Sequence, residues 1–81
     1  MIEHEVTVHL EEGLQARAAS HFVQEANRFN ANIFIDKGHK RINAKSIMGL
    51  MSLAIFRGER ITLIIDGEDE GDALTHLLKL L

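Results

Sequence analysis

The 81-residue sequence contains no cysteine, so it carries neither a disulfide framework nor a zinc site built on thiolates. No apolar run reaches the length of about 18 residues that a membrane-spanning helix needs. The first residues also lack the basic and apolar regions of a signal peptide. We therefore expect a soluble cytoplasmic protein that makes no membrane contact.

Positive charge is scarce as well, because 9 Lys and Arg stand against 12 Asp and Glu and the net charge is −3. This balance argues against general nucleic-acid binding. The five histidines lack a ligand spacing such as i, i+4 on one helix, so we expect neither a metal nor a cofactor. Acidic side chains concentrate in residues 66–72, which we interpret as solvated loops and helix ends. A basic cluster consists of Lys37, Lys40, Arg41 and Lys45.

Hydrophobic periodicity divides the chain, which its length predicts to be one domain over residues 1–81, into alternating elements. Strands are predicted at residues 2–10, 32–37, 40–44 and 60–66, with His4 on the inward side of the first strand. Helices are predicted at residues 16–29, 46–56 and 69–81, and Gly58 is expected to end the second helix. The order βαββαβα predicts an α+β fold, with three helices on one face of a four-stranded antiparallel sheet.

Ser46 directly precedes an apolar helical run, which makes it a natural N-cap. Lys40, Arg41 and Lys45 lie just upstream and would give an anion at this position cationic neighbours. A phosphate on the hydroxyl would also meet the positive end of the helix dipole. Two interpretations stay open, a cap alone and a cap that is also a phosphorylation site.

The helix after Ser46 is too apolar for one buried stripe. At roughly 100° per residue, Ile47, Met48 and Met51 share one band, while Leu50 and Leu53 share another. A short helix on a sheet buries one band, and an exposed band with methionine suits partner docking. The alternative is that both bands belong to the core.

Two motifs carry a resemblance that covers essentially the whole chain. The stretch G-L-Q-A-R-A-A at residues 13–19 resembles the G-[LI]-H-A-R-P-A active-site motif of the HPr family of histidine-containing phosphocarriers. The stretch N-A-K-S-I-M-G-L-M-S-L at residues 43–53 resembles that family's regulatory serine motif. Gln15 replaces the phosphorylated histidine, and Ala18 replaces the usual proline. Because a neutral amide is a poor nucleophile, we expect no phosphate relay through residue 15.

Gln15 beside an intact serine motif is similar to one subgroup, the catabolite-repression HPr-like proteins of Gram-positive bacteria. The resemblance implies an open-faced β-sandwich and a regulatory protein, not an enzyme. It implies that HPr kinase/phosphorylase phosphorylates Ser46 and that the product is a corepressor of catabolite control protein A, a LacI-type regulator. The implied partner-binding residues are Gln15, Arg17, Lys45, Ile47, Met48 and Met51.

The resemblance also implies a monomer or a homodimer that exchanges the first strand, with residues 11–13 as the hinge. Two alternative functions stay open. One is a phosphocarrier that uses another histidine, although each is most simply a surface or packing residue, with His9 and His76 on solvent faces. The other is a small α/β interaction module without a switch.

Arg17 lies in the first turn of the helix predicted at residues 16–29, where the helix dipole disfavours a cation. We therefore expect an anion nearby. Phosphate on Ser46 fits this expectation if the starts of the first two helices lie side by side. The alternative is an arginine that simply extends into solvent.

Overall fold

The fold of the computed structural model, which describes all residues 1–81, follows the order βαββαβα. The strands are β1 (Ile2–Thr7), β2 (Asn32–Lys37), β3 (Lys40–Asn43) and β4 (Arg60–Asp66). The helices are α1 (Ala16–Ala26), α2 (Ile47–Ser52) and α3 (Glu70–Leu78). All strand pairs are antiparallel, and the sheet order is β1-β4-β2-β3. The predicted fold class and element order are confirmed.

One face of the sheet carries the core. Alternate residues of the central strand β4, Ile61, Leu63 and Ile65, are buried there, as the period-two pattern predicts. Phe22 of α1 and Leu50 of α2 belong to the same cluster of 18 buried residues, as does Leu77 of α3. The three helices therefore cover a single face. None of them is long and apolar enough to cross a membrane.

Strand β1 ends at Thr7, three residues before the predicted end. The N–H of Val8 still donates to the carbonyl of Glu59 (2.9 Å), in register with β4, whereas the N–H of His9 donates to Leu81 (2.7 Å), so the chain leaves the ladder after Val8. His4 lies opposite buried Leu63, as the alternation predicts, yet it is exposed because β1 is an edge strand.

Helix α1 ends at Ala26, although a helix to residue 29 was predicted. The Asn27 amide donates to Val23 O (2.9 Å) and to Lys45 O (3.2 Å), which ties the helix end to another segment. The Asp69 carboxylate then accepts the N–H groups of Asn30 and Ala31, both at 2.8 Å. Asp69 thus lies at a helix end, as predicted for the acidic cluster, but it is not simply solvated, because it binds two backbone N–H groups that lower the pKa of its carboxyl.

Helix α2 ends at Ser52, and the prediction that it reaches residue 56 is wrong. Ala54 has a φ of +48°, a left-handed conformation that stops the helix. The Lys37 ammonium donates to Leu53 O (3.1 Å) and Ala54 O (3.0 Å), so a cation stabilises the negative end of the helix dipole. Gly58 does not end the helix; its N–H donates to Val8 O (2.8 Å).

The ends of β3 and α3 also differ from the prediction. Strand β3 stops at Asn43, one residue early, because the Asn43 side chain accepts the N–H of Lys45 (2.8 Å) in a turn. Helix α3 begins after its N-cap, Asp69, and ends at Leu78, not at residue 81. The chain beyond α3 folds back so that Leu81 is buried.

Gly13 places the start of α1 against the segment that follows α2. Its φ is +75°, and a Cβ atom there would lie 2.5 Å from Ile55 O and 2.7 Å from the Cα of Phe56. Only glycine allows both this backbone conformation and this close approach. Residues 13–15 consequently run beside residues 55–57.

Candidate functional site

Ser46 is the N-cap of α2. Its backbone is extended, and its Oγ accepts the N–H of Gly49 at 3.2 Å. The residue is nevertheless exposed. The predicted cap is confirmed, and the hydroxyl is open to solvent at the start of a helix; its phosphorylation stays a prediction.

The two bands of α2 differ sharply in exposure. Met48 is 81% exposed, Met51 48% and Ile47 37%, whereas Leu50 is fully buried. Leu53, which follows the helix, is also buried. We call Ile47, Met48 and Met51 the outer band. The alternative in which both bands belong to the core is wrong.

The basic cluster does not surround Ser46 as predicted. Arg41 forms a bidentate ion pair with Asp36 (2.7 and 3.0 Å), which raises the pKa of Arg41. The Lys45 ammonium donates to Phe29 O at 2.7 Å. Lys40 is exposed and forms no ion pair. Adjacency in sequence is misleading because Asp36 on the neighbouring strand binds Arg41 and the carbonyl of Phe29 binds Lys45.

The fourth member of the cluster supports the end of α2. Lys37 binds the last carbonyls of that segment and also pairs with Glu59 at 2.8 Å. The Lys37 hydrogen bond and the N–H of Phe56 both lower the pKa of Glu59. This contact supports the fold, and no local pattern in the sequence predicts it.

Gln15 is fixed by a hydrogen bond that its amide donates. Its Nε2 lies 2.9 Å from Ile55 O, the same oxygen that accepts the N–H of Leu14 at 3.0 Å. The next residue, Ala16, has a φ of +44°, which is strained for a residue with a Cβ. The side chain at position 15 therefore links the start of α1 to the segment after α2.

Arg17 is exposed and forms no ion pair. The contacts at both ends show that α1 and α2 run antiparallel: Asn27 contacts Lys45, whereas Gln15 contacts Ile55. Because α1 is about 16 Å long at 1.5 Å per residue, most of that length separates Arg17 from Ser46. The expectation that the two helix starts lie side by side is wrong.

The histidines divide into two groups. His76 is half-buried: its Nε2 lies 2.6 Å from Glu25 Oε1, and its ring packs on Phe29, with 5.7 Å between ring centroids. The hydrogen bond from His76 is the main cause that lowers the pKa of Glu25. The prediction of a solvent-facing His76 is thus wrong. His4, His9, His21 and His39 are exposed.

No three His, Asp or Glu side chains lie close enough together to hold a metal ion. The helix predicted at residues 46–56 places Phe56 at its end, so it does not identify this exposed residue as a candidate for partner binding. It is 57% exposed, and it lies beside Gly13. The available signal was an aromatic residue directly before an Arg-Gly pair, outside the apolar periodicity.

Sequence comparison with known proteins points consistently to the HPr family. A family model described as "PTS HPr component phosphorylation site" matches residues 2–81. The HPr-like protein Crh of Halalkalibacterium halodurans is 60% identical over 78 residues, which cover 96% of this chain and 93% of that protein.

Solved structures agree with the sequence comparison. The crystal structure of the phosphocarrier protein HPr from Bacillus anthracis superposes with a TM-score of 0.96 at 54% identity, covering 99% of this chain and 95% of that chain. The crystal structure of Crh from Bacillus subtilis superposes with a TM-score of 0.78 at 55% identity, covering 99% of this chain and 92% of that chain. That Crh structure is described as a dimer with a swapped domain.

Proposed function

The chain belongs to the HPr family, and we propose that within this family it is a phosphoserine-switched regulator of carbon catabolite repression in the cytoplasm. In this proposal it is neither an enzyme nor a phosphate carrier. The identity of 60% to the HPr-like protein Crh of Halalkalibacterium halodurans supports the assignment to this branch of the family. The observation that carries the proposal is the exposed hydroxyl of Ser46 beside the exposed outer band.

The proposed switch is phosphorylation of Ser46 by HPr kinase/phosphorylase. The hydroxyl already sits at a helix start, so a phosphate there would meet N–H groups instead of displacing core side chains. Phosphorylation would add about −1.5 to −2 charges and three acceptor oxygens. The fold would change little, while the surface would gain a new recognition group.

The phosphorylated protein then docks on catabolite control protein A as its corepressor. The outer band supplies the apolar contact and the phosphate supplies the charged one. Gln15 and Arg17 contact a separate part of the regulator, since α1 and α2 are antiparallel. Lys45 contributes indirectly, because its ammonium binds Phe29 O and holds the segment before Ser46 in place.

Gln15 removes the relay function in this proposal. A carboxamide is not a nucleophile of the kind that accepts a phosphoryl group, and its nitrogen already donates to Ile55 O. The alternative of a relay through another histidine predicts acid-labile phosphate after incubation with enzyme I and phosphoenolpyruvate. We expect none.

We propose that the monomer and a homodimer formed by exchange of β1 are both accessible, with residues 11–13 as the hinge. The support is the swapped dimer described for Crh of Bacillus subtilis, which is 55% identical. Native mass spectrometry of the purified protein, together with size-exclusion chromatography over a concentration series, tests this statement. A single monomer mass at every concentration contradicts it.

The central experiment incubates the protein with HPr kinase/phosphorylase and ATP, followed by intact mass spectrometry. We expect one added phosphate, which Ser46→Ala abolishes. The matched control is Ser52→Ala, because Ser52 lies in the same helix and is also exposed. Phosphate that survives Ser46→Ala, or that never appears, contradicts the proposal.

A second measurement tests the docking step. Immobilised catabolite control protein A is titrated with the phosphorylated and the unphosphorylated protein. We expect tight binding for the phosphorylated form alone. Equal affinities would support the alternative function, a small interaction module without a switch.

A further inference from the structure

Phe56 is a large apolar side chain that neither the core nor the outer band includes. It is 57% exposed, although its backbone is held firmly. Its N–H donates to Glu59 Oε1 at 2.7 Å, and its carbonyl accepts the N–H of Glu59 at 3.1 Å. Lys37 in turn pairs with Glu59 at 2.8 Å. A rigid turn therefore presents an aromatic residue in a place where folding does not bury it.

Two arginines belong to the two chain segments that meet at this aromatic residue. Arg57 follows it directly, and Arg17 is two residues beyond Gln15, whose amide binds Ile55 O. A Cβ atom on Gly13 would lie 2.7 Å from the Cα of Phe56 and 3.1 Å from the backbone nitrogen of Arg57. The first turn of α1 and the turn after Ile55 are thus close together.

These two arginines also differ from the others in the chain. Arg28, Arg41 and Arg60 each pair with a carboxylate. Arg17 and Arg57 are exposed and pair with none, not even with the nearby Glu11 and Glu12. In a chain of net charge −3, two free cations beside an exposed aromatic ring mark a surface for an acidic partner.

We infer that Phe56, Arg57 and Arg17 form a second docking element, which takes an apolar recess bordered by carboxylates on the partner protein. This inference rests on the proposed function, since the partner is the regulator that binds the outer band. Aromatic and arginine side chains are the residues most enriched in the energetic centres of interfaces. The element lies at the opposite end of α2 from Ser46, so its contribution is independent of the phosphate.

The inference assigns a polarity to the partner. A phosphoserine requires a cationic site, whereas Arg17 and Arg57 require an anionic one. These two requirements apply at opposite ends of α2. The regulator surface must therefore be basic at one end and acidic at the other, which would allow a single orientation of docking.

The test uses the protein phosphorylated at Ser46 and catabolite control protein A, with affinity and association rate measured at several salt concentrations. Phe56→Ser should weaken binding by about tenfold, as expected for the loss of one well-buried apolar contact. Arg57→Ser should slow association several-fold and flatten its salt dependence. Lys79→Ser is the matched control, because Lys79 is another exposed cation without an ion pair, and it should bind as the wild type does.

The outcomes separate this inference from the proposed function. If the wild type binds and either Phe56→Ser or Arg57→Ser binds equally well, the inference is overturned and the proposed function stands. If the phosphorylated wild type does not bind, both are overturned. Far-UV circular dichroism checks the fold, and Arg57→Ser remains decisive if Phe56→Ser does not fold, since the exposed Arg57 side chain forms no ion pair that the substitution would remove.

Discussion

Leu50 and Met48 lie two residues apart on α2, yet Leu50 is fully buried and Met48 is the most exposed large apolar residue of the protein. The inner face of the helix, Leu50 and the adjacent Leu53, packs into the core with residues of all three helices. The outer band is as apolar but contacts solvent. An exposed row of large apolar side chains gains nothing from folding, so a different requirement must account for it.

The comparison teaches that one short helix can keep stability and recognition on separate residues. Changes on the inner face should lower the free energy of unfolding, and binding should be lost only where the fold is lost. Changes on the outer band should affect binding with the fold intact. Substitutions along α2 and its supports test this division, from the largest expected effect on stability to the smallest.

Truncation of the inner face should have the largest effect. Leu50→Ala removes a fully buried side chain and leaves a cavity, which costs about 2–5 kcal/mol of unfolding free energy. Urea denaturation followed by circular dichroism measures it. Met48→Ala is the matched truncation on the outer band and should cost less than about 0.5 kcal/mol. Similar losses of unfolding free energy for the two variants would contradict the division between the inner face and the outer band.

The helix cap should have an intermediate effect, because Ser46 serves both the fold and the proposed switch. Ser46→Ala leaves the N–H of Gly49 without its acceptor and should cost about 0.5–2 kcal/mol. The same denaturation assay applies. Ser52→Ala, which removes a hydroxyl near the other end of the helix, should cost less; a larger loss there would show that the cap assignment is misplaced.

The Lys37–Glu59 ion pair, which supports the end of α2, should make the stability of the protein depend on pH. The pKa of Glu59 is lowered from its ordinary value of 4.5, mainly by the hydrogen bond from Lys37. A carboxyl of this kind contributes stability above the unfolded-state pKa and loses it as the pH falls through the lower folded-state value. Thermal melts from pH 7 to pH 3 should therefore show wild type and Glu59→Gln converging below about pH 4.5.

The control for this measurement is Glu68→Gln, since Glu68 is exposed and forms no ion pair. That variant should follow the wild-type curve throughout the range. A constant difference between wild type and Glu59→Gln at every pH would mean that the Lys37–Glu59 pair does not account for the effect.

The smallest effect on stability belongs to a charge placed on the outer band. Met48→Asp should change the unfolding free energy by less than about 0.5 kcal/mol, because the side chain is already in water. Binding of the phosphorylated variant to catabolite control protein A should be lost, since an unpaired carboxylate would be buried at the contact. Unfolding of the variant, or undiminished binding, would each show that the outer band is not a docking surface.

The sequence predicted the features that depend on local pattern. Element order, the Ser46 cap and the separation of the two bands of α2 all follow from periodicity and capping chemistry, and the structure bears them out. The predicted helix ends were wrong because they depend on contacts between distant segments. The bond from Asn27 to Lys45 and that from Lys37 to Leu53 stabilise the helix ends, and no local pattern encodes them.

The candidate site shows the same division. The spacing of Met48 and Met51 separates them from Leu50 but leaves open whether they are exposed, and the structure shows that they are. The antiparallel course of α1 and α2, which separates Arg17 from Ser46, was not predictable, because it depends on how the hairpin of β2 and β3 returns the chain. Phe56 was missed because the helix ends at Ser52, through the left-handed Ala54, before reaching it.

The exposed outer band has a consequence in redox terms. A chain without cysteine has methionine as its readily oxidised side chain, and two of its three methionines lie on this band. Oxidation of Met48 to the sulfoxide would turn an apolar contact into a polar one, while Leu50 behind it is chemically inert. Mild peroxide should therefore leave the melting curve unchanged and weaken regulator binding, and reduction by methionine sulfoxide reductases should restore it.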